Sequence, residues 1–396
     1  MAAAEERRHQ FLRPRPARLT ELTAGLAEIE RSGRYTNFGP KNDELEQRLL
    51  DEVFGGTGRC VTCVNATTGL LLTVRHELRP GRRFALLPSF TFAASAHAAI
   101  WNGLTPLLCD VDPETWLPDA ASEERLLREH AGDVAVVVPQ ATFGNCLDLE
   151  RYDELARRFD VPVVVDAAAA LGTRDADGQQ FGAGSTLPVV FSMHATKAFA
   201  TDEGGLVYSA RTALVDDIRT MSNFGFGTPR QATMPGLNGK LSEVGALLAL
   251  AKLDEIDAVV RYRADLYAAY REALPELQYQ RSRAALQAHQ FVPARLPGAT
   301  RAQRDELVTS LARAGVELGT YFSPHLAEQS YFAGLVDTPS LPLTETVAAE
   351  IVSLPLSDEM ERRDVDAIAA ALQSRWASMK AASSPSSGSG VGATGL

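Results

Sequence analysis

The sequence predicts an α/β fold with a large, doubly wound, mostly parallel sheet and a smaller C-terminal α/β domain. Three observations support this class. Apolar runs such as VAVVVP (134–139) and VPVVVD (161–166) are continuous, as in strands covered by helices on both faces. Segments with a helical pattern separate these runs, as in repeated strand–helix–strand units. A chain of 396 residues is usually too long to fold around a single hydrophobic core, so two domains are expected.

The large domain is predicted to cover residues 1–255. It begins with an amphipathic helix over 17–31 and a turn-rich loop, GRYTNFGP, that contains Pro40. Strands are predicted over 59–64, 84–89, 105–111, 134–139, 161–166, 188–192 and 205–209, and helices over 67–78, 91–102 and 149–159. This alternation of strands and helices is typical of a doubly wound sheet.

The small domain is predicted to cover residues 256–380. One long helix over 243–273 would bridge the two domains. A strand over 289–296, a helix over 301–315, a strand over 316–322 and a final helix over 361–380 follow. The Ser- and Gly-rich tail, 381–396, has too little apolar surface to order itself and is predicted to be disordered.

Composition excludes several classes of protein. A net charge of −11 argues against binding to nucleic acid, and no apolar run approaches the roughly 20 residues of a membrane span. The N-terminus is charged and proline-rich where a signal peptide would be apolar, so a cytoplasmic location is expected. Cys60 and Cys63 form a C-x-x-C on a strand, without a second pair or a His cluster, and are interpreted as core residues. No metal site is predicted.

Lys197 is an unusual residue for its position. The chain has only five lysines among 39 basic residues, and this one follows an apolar strand directly in FSMHATK. A lysine beside apolar surface loses hydration, which lowers its pKa and makes the neutral amine available. A Schiff-base nucleophile requires such an amine, whereas the alternative is a lysine that extends from the strand end to solvent.

Two further groups lie at predicted strand ends, where open α/β sheets bind ligands. The segment VNATTGL (64–70) begins a helix with small residues, so its backbone N–H groups and the hydroxyls of Thr67 and Thr68 suit an anion. A plain helix cap is the alternative. Asp166 ends an apolar strand and needs a partner, such as a protonated pyridine nitrogen, unless it only caps a helix.

The remaining candidates complete a cofactor site. Ser192 is positioned to donate to a phosphate, Phe92 to stack on one face of a ring, and Ala168 to lie against the other face. Together with Lys197 and Asp166, these groups describe a site for pyridoxal 5′-phosphate (PLP), which needs an Asp at its pyridine nitrogen and a lysine for its aldehyde.

The motifs resemble those of the DegT/DnrJ/StrS family of PLP-dependent sugar aminotransferases, which have the type I fold. The similarity extends from YTNFGPKNDELE to IVSLPLSDEM, nearly the whole chain. It includes NATTGL, PSFTF (88–92), DVDPET (110–115), Asp-Ala-Ala (166–168), the segment FSMHATK…EGG and GLNGKLSE (236–243).

The resemblance implies a role for each matching residue. Lys197 would form the Schiff base, Asp166 would pair with the pyridinium, Phe92 and Ala168 would enclose the ring, and Ala66, Thr67 and Ser192 would hold the phosphate. Asn238 would reach the phosphate of the neighbouring subunit, in a homodimer with shared active sites. Many members have Gln three residues after the Asp, near the ring hydroxyl. This chain has Ala169 there, so another group or water must contact that oxygen.

The resemblance also implies an activity. Members with His in place of the lysine are dehydratases or deoxygenation enzymes, so Lys197 favours transfer of an amino group from L-glutamate to a nucleotide-linked keto-sugar. The form HATK…EGG is more similar to members that act at C4 of dTDP-4-keto-6-deoxyhexoses. The alternatives are a C3 sugar or keto-cyclitol aminotransferase, or a PLP-retaining regulatory protein without turnover. His194, Tyr321 and His325 are substrate candidates, with structural roles as the alternative.

Overall fold

A computed structural model of the chain describes residues 9–335 and 340–383. The strands are β1 (Arg59–Cys63), β2 (Phe84–Pro88), β3 (Thr105–Cys109), β4 (Val134–Val137), β5 (Val165–Asp166), β6 (Val189–Ser192), β7 (Gly205–Ser209), β8 (Gln278–Tyr279), β9 (Val292–Arg295) and β10 (Ile351–Leu354). The helices are α1 (Thr23–Ser32), α2 (Pro40–Arg48), α3 (Ala66–Glu77), α4 (Ala93–Trp101), α5 (Ala120–Glu129), α6 (Leu149–Phe159), α7 (Thr212–Met221), α8 (Glu243–Leu253), α9 (Ile256–Ala273), α10 (Arg301–Arg313), α11 (Pro342–Glu350) and α12 (Arg362–Ser383).

The first seven strands form the sheet that carries the site. Strands β3–β2–β4 and β1–β7–β6–β5 are each hydrogen-bonded in that order. Parallel bridges from Val137 to Val163 and from Gln140 to Asp166 join the two groups, so the full order is β3–β2–β4–β5–β6–β7–β1. Only β7 runs antiparallel to its neighbours within this sheet. The predicted mostly parallel, doubly wound sheet is confirmed.

Successive residues of each strand enter different cores on the two faces of the sheet. Val189 and Phe191 pack in one cluster with apolar residues of α6 and α8. Val190 and Val207 pack in a second cluster with residues of α3 and α7. Because both faces are buried, the strands read as continuous apolar runs. Cys60 and Cys63 lie on opposite faces, free and buried, as core residues.

The C-terminal part has a sheet and a core of its own. Strands β8, β9 and β10 form an antiparallel sheet with β9 in the centre. Residues of α9, α10 and α12 pack with them in a separate cluster that includes Leu307, Val352 and Leu372. These features support a small domain, and the boundary at residue 255 remains a prediction.

Several predicted elements are corrected by the structure. The single helix over 243–273 was wrong, because the chain breaks at Asp254 and Glu255. The break lets α8 pack on α2 while α9 packs on α12. The predicted strand over 316–322 was also wrong. Its segment forms only isolated bridges, from Val316 to the N-terminal segment and from Gly319 to β10.

Other boundaries differ by less. Pro40 begins a helix rather than ending a loop, which suits a residue with a fixed φ and no N–H. The strand predicted over 161–166 is regular only at Val165–Asp166. The last helix continues to residue 383, and residues 384–396 of the predicted disordered tail lie outside the described residues. Within the described ranges, no helix is long and apolar enough to cross a membrane.

Candidate active site

A cavity of about 370 Å³ opens beyond the carboxyl ends of β4, β5 and β6. Ligands bind at this edge in open α/β sheets. Nine of the eleven predicted site residues line it: Ala66, Thr67, Phe92, Asp166, Ala168, Ser192, His194, Lys197 and Tyr321. The sheet therefore brings together residues that are up to 255 positions apart in the sequence, counted from 66 to 321.

Lys197 lies in the cavity after a short turn that follows β6. Its side chain is half-buried, and its Nζ donates to Oε1 of Gln290 at 2.9 Å. Burial lowers the pKa of Lys197 to about 8, against the opposing effect of the Asp166 charge. A substantial fraction of the amine is therefore neutral near physiological pH, as a nucleophile requires.

Asp166 ends β5 and is only 1% exposed. Burial raises the pKa of this carboxyl group, and the groups around it oppose that effect by stabilising the ionised form. Ser95 Oγ donates to Oδ2 at 2.5 Å, and the Ala168 N–H donates to Oδ1 at 3.1 Å. A buried carboxylate facing a cavity in this way is suited to a cationic partner.

The other end of the cavity has the geometry of an anion site. Ala66 and Thr67 form the first turn of α3, whose cap residue Asn65 accepts from the Thr68 N–H at 2.8 Å. Ser192 lies opposite Gly205 in the β6–β7 ladder. A Cβ on that glycine would lie 2.5 Å from the Ala66 nitrogen, so the backbone approaches this closely only because residue 205 has no side chain.

Aromatic and imidazole groups form the rest of the wall. Phe92 is 53% exposed and precedes α4, whereas Tyr321 stacks on Phe291 with ring centroids 5.5 Å apart. His194 shares a hydrogen bond of 2.8 Å between Nδ1 and the Thr196 hydroxyl. The predicted substrate contacts of His194 and Tyr321 remain predictions.

Two predicted residues lie outside this cavity. Asn238 is exposed, and its Oδ1 accepts from Lys240 Nζ at 2.8 Å. His325 is 2% exposed, and its Nδ1 shares a hydrogen bond of 2.8 Å with the Ser89 hydroxyl. Within its own chain, neither side chain is part of the cavity wall.

Sequence reasoning missed several polar residues of the site, among them Ser95, Gln140 and Gln290. Gln140 carried a signal, because it follows the apolar run of β4 at the same edge of the sheet as Asp166. Ser95 and Gln290 gave no comparable signal. They lie within a helix and a loop, and their role comes only from the side chains that the fold places beside them.

These residues fit PLP. The cavity has a carboxylate for a pyridinium at one side, a partly neutral lysine amine, and a helix N-terminus with a hydroxyl for a phosphate. Oε1 of Gln140 is a further buried polar atom in the wall that has no hydrogen-bond partner among the described residues. When bound, PLP supplies the electron-withdrawing ring that eases removal of a proton from the carbon bearing the amino group.

The chain is similar to curated proteins over most of its length. It is 32% identical to Protein Rv3402c of Mycobacterium tuberculosis over 92% of this chain and 89% of that protein. It is 26% identical to a dTDP-4-amino-4,6-dideoxy-D-glucose transaminase of Shigella dysenteriae, over 86% of this chain and 92% of that enzyme.

Solved structures share both fold and sequence with it. A structure from Bacillus cereus that is assigned to the PLP-dependent aminotransferases matches with a TM-score of 0.87 and 35% identity, over 92% of this chain and 99% of that one. The structure of DesI in the presence of its TDP-sugar product matches with a TM-score of 0.84 and 31% identity, over 94% of each chain.

The family model for the DegT/DnrJ/EryC1/StrS aminotransferases matches residues 18–373, which include every element from α1 to β10 and most of α12. The lysine, the carboxylate and the anion site all lie within the matched segment. The chain therefore belongs to the DegT/DnrJ/EryC1/StrS aminotransferase family and is a PLP-dependent sugar aminotransferase.

Proposed function

We propose that this enzyme transfers the amino group of L-glutamate to the C4 keto group of a dTDP-linked 4-keto-6-deoxyhexose. One observation carries the transamination itself, namely the partly neutral Lys197 amine in one cavity with the buried Asp166 carboxylate. The similarity to DesI and to the Shigella transaminase supports a dTDP-linked sugar with its amino group at C4.

The proposal gives the predicted cofactor-binding residues of the cavity their tasks. Asp166 keeps the pyridine nitrogen of PLP protonated. The N–H groups of Ala66 and Thr67, with the Ser192 hydroxyl, bind the phosphate. Phe92 and Ala168 lie against the two ring faces. The support is their shared cavity and the hydrogen bonds that Ser95 and the Ala168 N–H donate to the Asp166 carboxylate.

Lys197 is proposed to act both as the amine that binds PLP and as the group that moves the proton. With a pKa near 8, its amine would take a proton from the donor's α-carbon as a base and, as an acid, would release it to the carbon of PLP that bore the aldehyde, without a large penalty for either transfer at neutral pH. Gln290, which accepts from Nζ at 2.9 Å, orients the amine when it is free.

The site is proposed to be completed by a second copy of the chain. Asn238 is exposed and lies outside the cavity of its own chain, which is what a residue that serves a partner's site requires. We also propose a cytoplasmic location, since four free, buried cysteines suit a reducing compartment.

The substrate is tested by incubating the purified protein with L-glutamate and a panel of nucleotide-linked keto-sugars. The expected product is a 4-amino sugar on dTDP, identified by NMR. Amination at C3, or of a keto-cyclitol, would overturn the C4 assignment. Absence of turnover with all donors and acceptors, in a protein that retains PLP, would favour a regulatory role instead.

The role of Lys197 is tested separately by borohydride reduction of the PLP-loaded protein and peptide mapping. The cofactor is expected on the peptide that contains Lys197, and the K197A variant should show no label there. Lys240 and Lys252 are also buried lysines. Label on either of them would contradict the assignment.

A further inference from the structure

A groove of about 780 Å³ lies outside the active-site cavity, between α9 and the segment that connects this helix to β9. Ala264, Tyr267 and Arg271 border it from one face of α9, at the spacing of successive helical turns. His289 borders it from the segment before β9, whereas the next residue, Gln290, lines the active-site cavity. The groove and the cavity share no lining residue, so they are separate sites.

Four side chains of the groove form a row in which each contacts the next. The imidazole of His289 stacks on the ring of Tyr267, with centroids 4.0 Å apart and an angle of 7° between the planes. Tyr267 meets Tyr279 edge-on at 5.9 Å, and the guanidinium of Arg271 lies 5.9 Å from the centroid of the Tyr279 ring. The row therefore brings a positive charge, a phenol and an imidazole to one part of the groove.

His289 adds a hydrogen-bond donor to this row. Its side chain makes no hydrogen bond within the described residues, and its Nδ1 is fully buried. Burial, with a smaller effect of the Arg263 charge, lowers the pKa of His289 to about 3, so the ring is neutral. A buried N–H without an acceptor is costlier than a buried lone pair, so we assign the proton to Nε2. Because Nδ1 is closed to solvent, the Nε2–H is the group that a ligand can reach.

The charges of the groove favour an anion. Arg271 and Arg281 line it, whereas no Asp or Glu of the described residues does, in a chain with a net charge of −11. Arg281 pairs with Glu114 at 3.1 Å, but both side chains are more than half exposed, so this pair is weak and leaves the guanidinium available. Guanidinium groups match the oxygens of a phosphate in geometry and charge.

We propose that the groove binds a phosphate ester that carries a ring, of the class of the nucleoside monophosphates. Arg271 and Arg281 bind the phosphate, and the Nε2–H of His289 and the Tyr267 hydroxyl donate to oxygen or nitrogen acceptors of the same ligand. The aromatic row and apolar side chains such as Leu277 contact the ring. The volume of the groove is in the range of small-molecule sites. This inference goes beyond the proposed function and does not depend on it.

The test is calorimetric titration of the PLP-loaded protein with adenosine monophosphate. Saturable binding is expected, tighter than that of adenosine or inorganic phosphate alone. R271M should weaken it at least tenfold, and Y267F, which keeps the stacked ring and removes only the hydroxyl, about three- to tenfold. R261M is the matched control, because Arg261 lies on the same helix, is 70% exposed and does not line the groove. Its affinity should equal that of the unaltered protein.

The position of the ligand is tested by photolabelling with 8-azidoadenosine monophosphate and peptide mapping. The label is expected within residues 264–289. Label on the peptide that contains Lys197 would overturn the inference, as would absence of binding at millimolar concentration. Equal affinities of the R271M, Y267F and unaltered proteins would do the same. Inorganic phosphate that binds as tightly as adenosine monophosphate would refute the ring-bearing class of ligand. If R271M does not fold, Y267F alone decides between these outcomes.

Discussion

A partly buried lysine that serves as a nucleophile lowers the stability of the folded, cofactor-free protein. The pKa of Lys197 is lowered from 10.5 to about 8 because burial disfavours its charged form. We therefore expect K197M to stabilise the cofactor-free protein. The full pKa difference would correspond to about 3 kcal/mol, and since the side chain is only half-buried, a gain of about 1 to 2 kcal/mol is expected.

The pH dependence of this gain follows from the direction of the shift. Between pH 8 and 10.5, Lys197 binds fewer protons in the folded state than in the unfolded state. The stability that the protein loses through this lysine is therefore largest below pH 8 and disappears as the pH rises to 10.5. Urea unfolding of both proteins from pH 7 to 10.5 measures the difference. Lys41 provides the control, because its hydrogen bond to Glu28 raises its pKa, and K41M should lose stability. A destabilised K197M at pH 7 would contradict the account.

At the residue scale, the sequence predicted those functional residues that stand out by their position in the chain. Lys197 and Asp166 each follow an apolar strand, and a charge there needs a chemical reason. Ser95 could not be recognised in the same way. Its importance comes from the Asp166 carboxylate beside it, and that proximity arises only when β5 and α4 come together.

At the element scale, strands with both faces buried were predictable and peripheral helices were less so. The continuous apolar runs of β2, β4 and β6 reflect two cores, one on each face. The break between α8 and α9 could not be predicted from the sequence, because Asp254 and Glu255 are both compatible with a helix. The two helices are separated only by what each of them packs against. The segment over 316–322 has a strand-like composition, but its partners are single bridges from distant parts of the chain.

One glycine connects two elements of the site and gives a sharp test. A Cβ on Gly205 in β7 would lie 2.4 Å from the carbonyl carbon of Asn65 and 2.5 Å from the nitrogen of Ala66, both backbone atoms. G205A should therefore displace the start of α3, weaken PLP binding at least tenfold and lower the free energy of unfolding by about 1 to 3 kcal/mol. Equilibrium dialysis and thermal unfolding measure the two effects.

Gly334 provides the matched control for that variant, because a Cβ there would meet nothing within 4 Å. G334A should bind PLP as the unaltered protein does. If G205A also binds PLP normally, the close approach of β7 to the start of α3 does not shape the anion site.

At the scale of the whole molecule, the position of Asn238 is the feature that one chain does not explain. The resemblance of GLNGKLSE to the family predicts that this residue contacts a phosphate, yet the side chain is exposed outside its own cavity. Its neighbourhood also carries Phe224, which is 46% exposed, with the Lys240 ammonium 4.9 Å from its ring centroid. An exposed aromatic ring beside an exposed polar side chain is typical of a surface that a partner covers.

A shared site makes a quantitative prediction about mixed dimers. K197A supplies an intact Asn238, and N238L supplies an intact Lys197, so a dimer with one chain of each has one complete site and one that lacks both groups. Random pairing of equal amounts makes half of the dimers mixed, and about one quarter of all sites should then be active, if the dimer is two-fold symmetric. Each parent alone should be nearly inactive.

The measurement is aminotransferase activity after the two variants are unfolded together and refolded, compared with each parent treated alone. Recovery of activity near that fraction supports a site built from two chains. A mixture no more active than the sum of its parents, or a fully active monomer by light scattering, would show that each chain completes its own site.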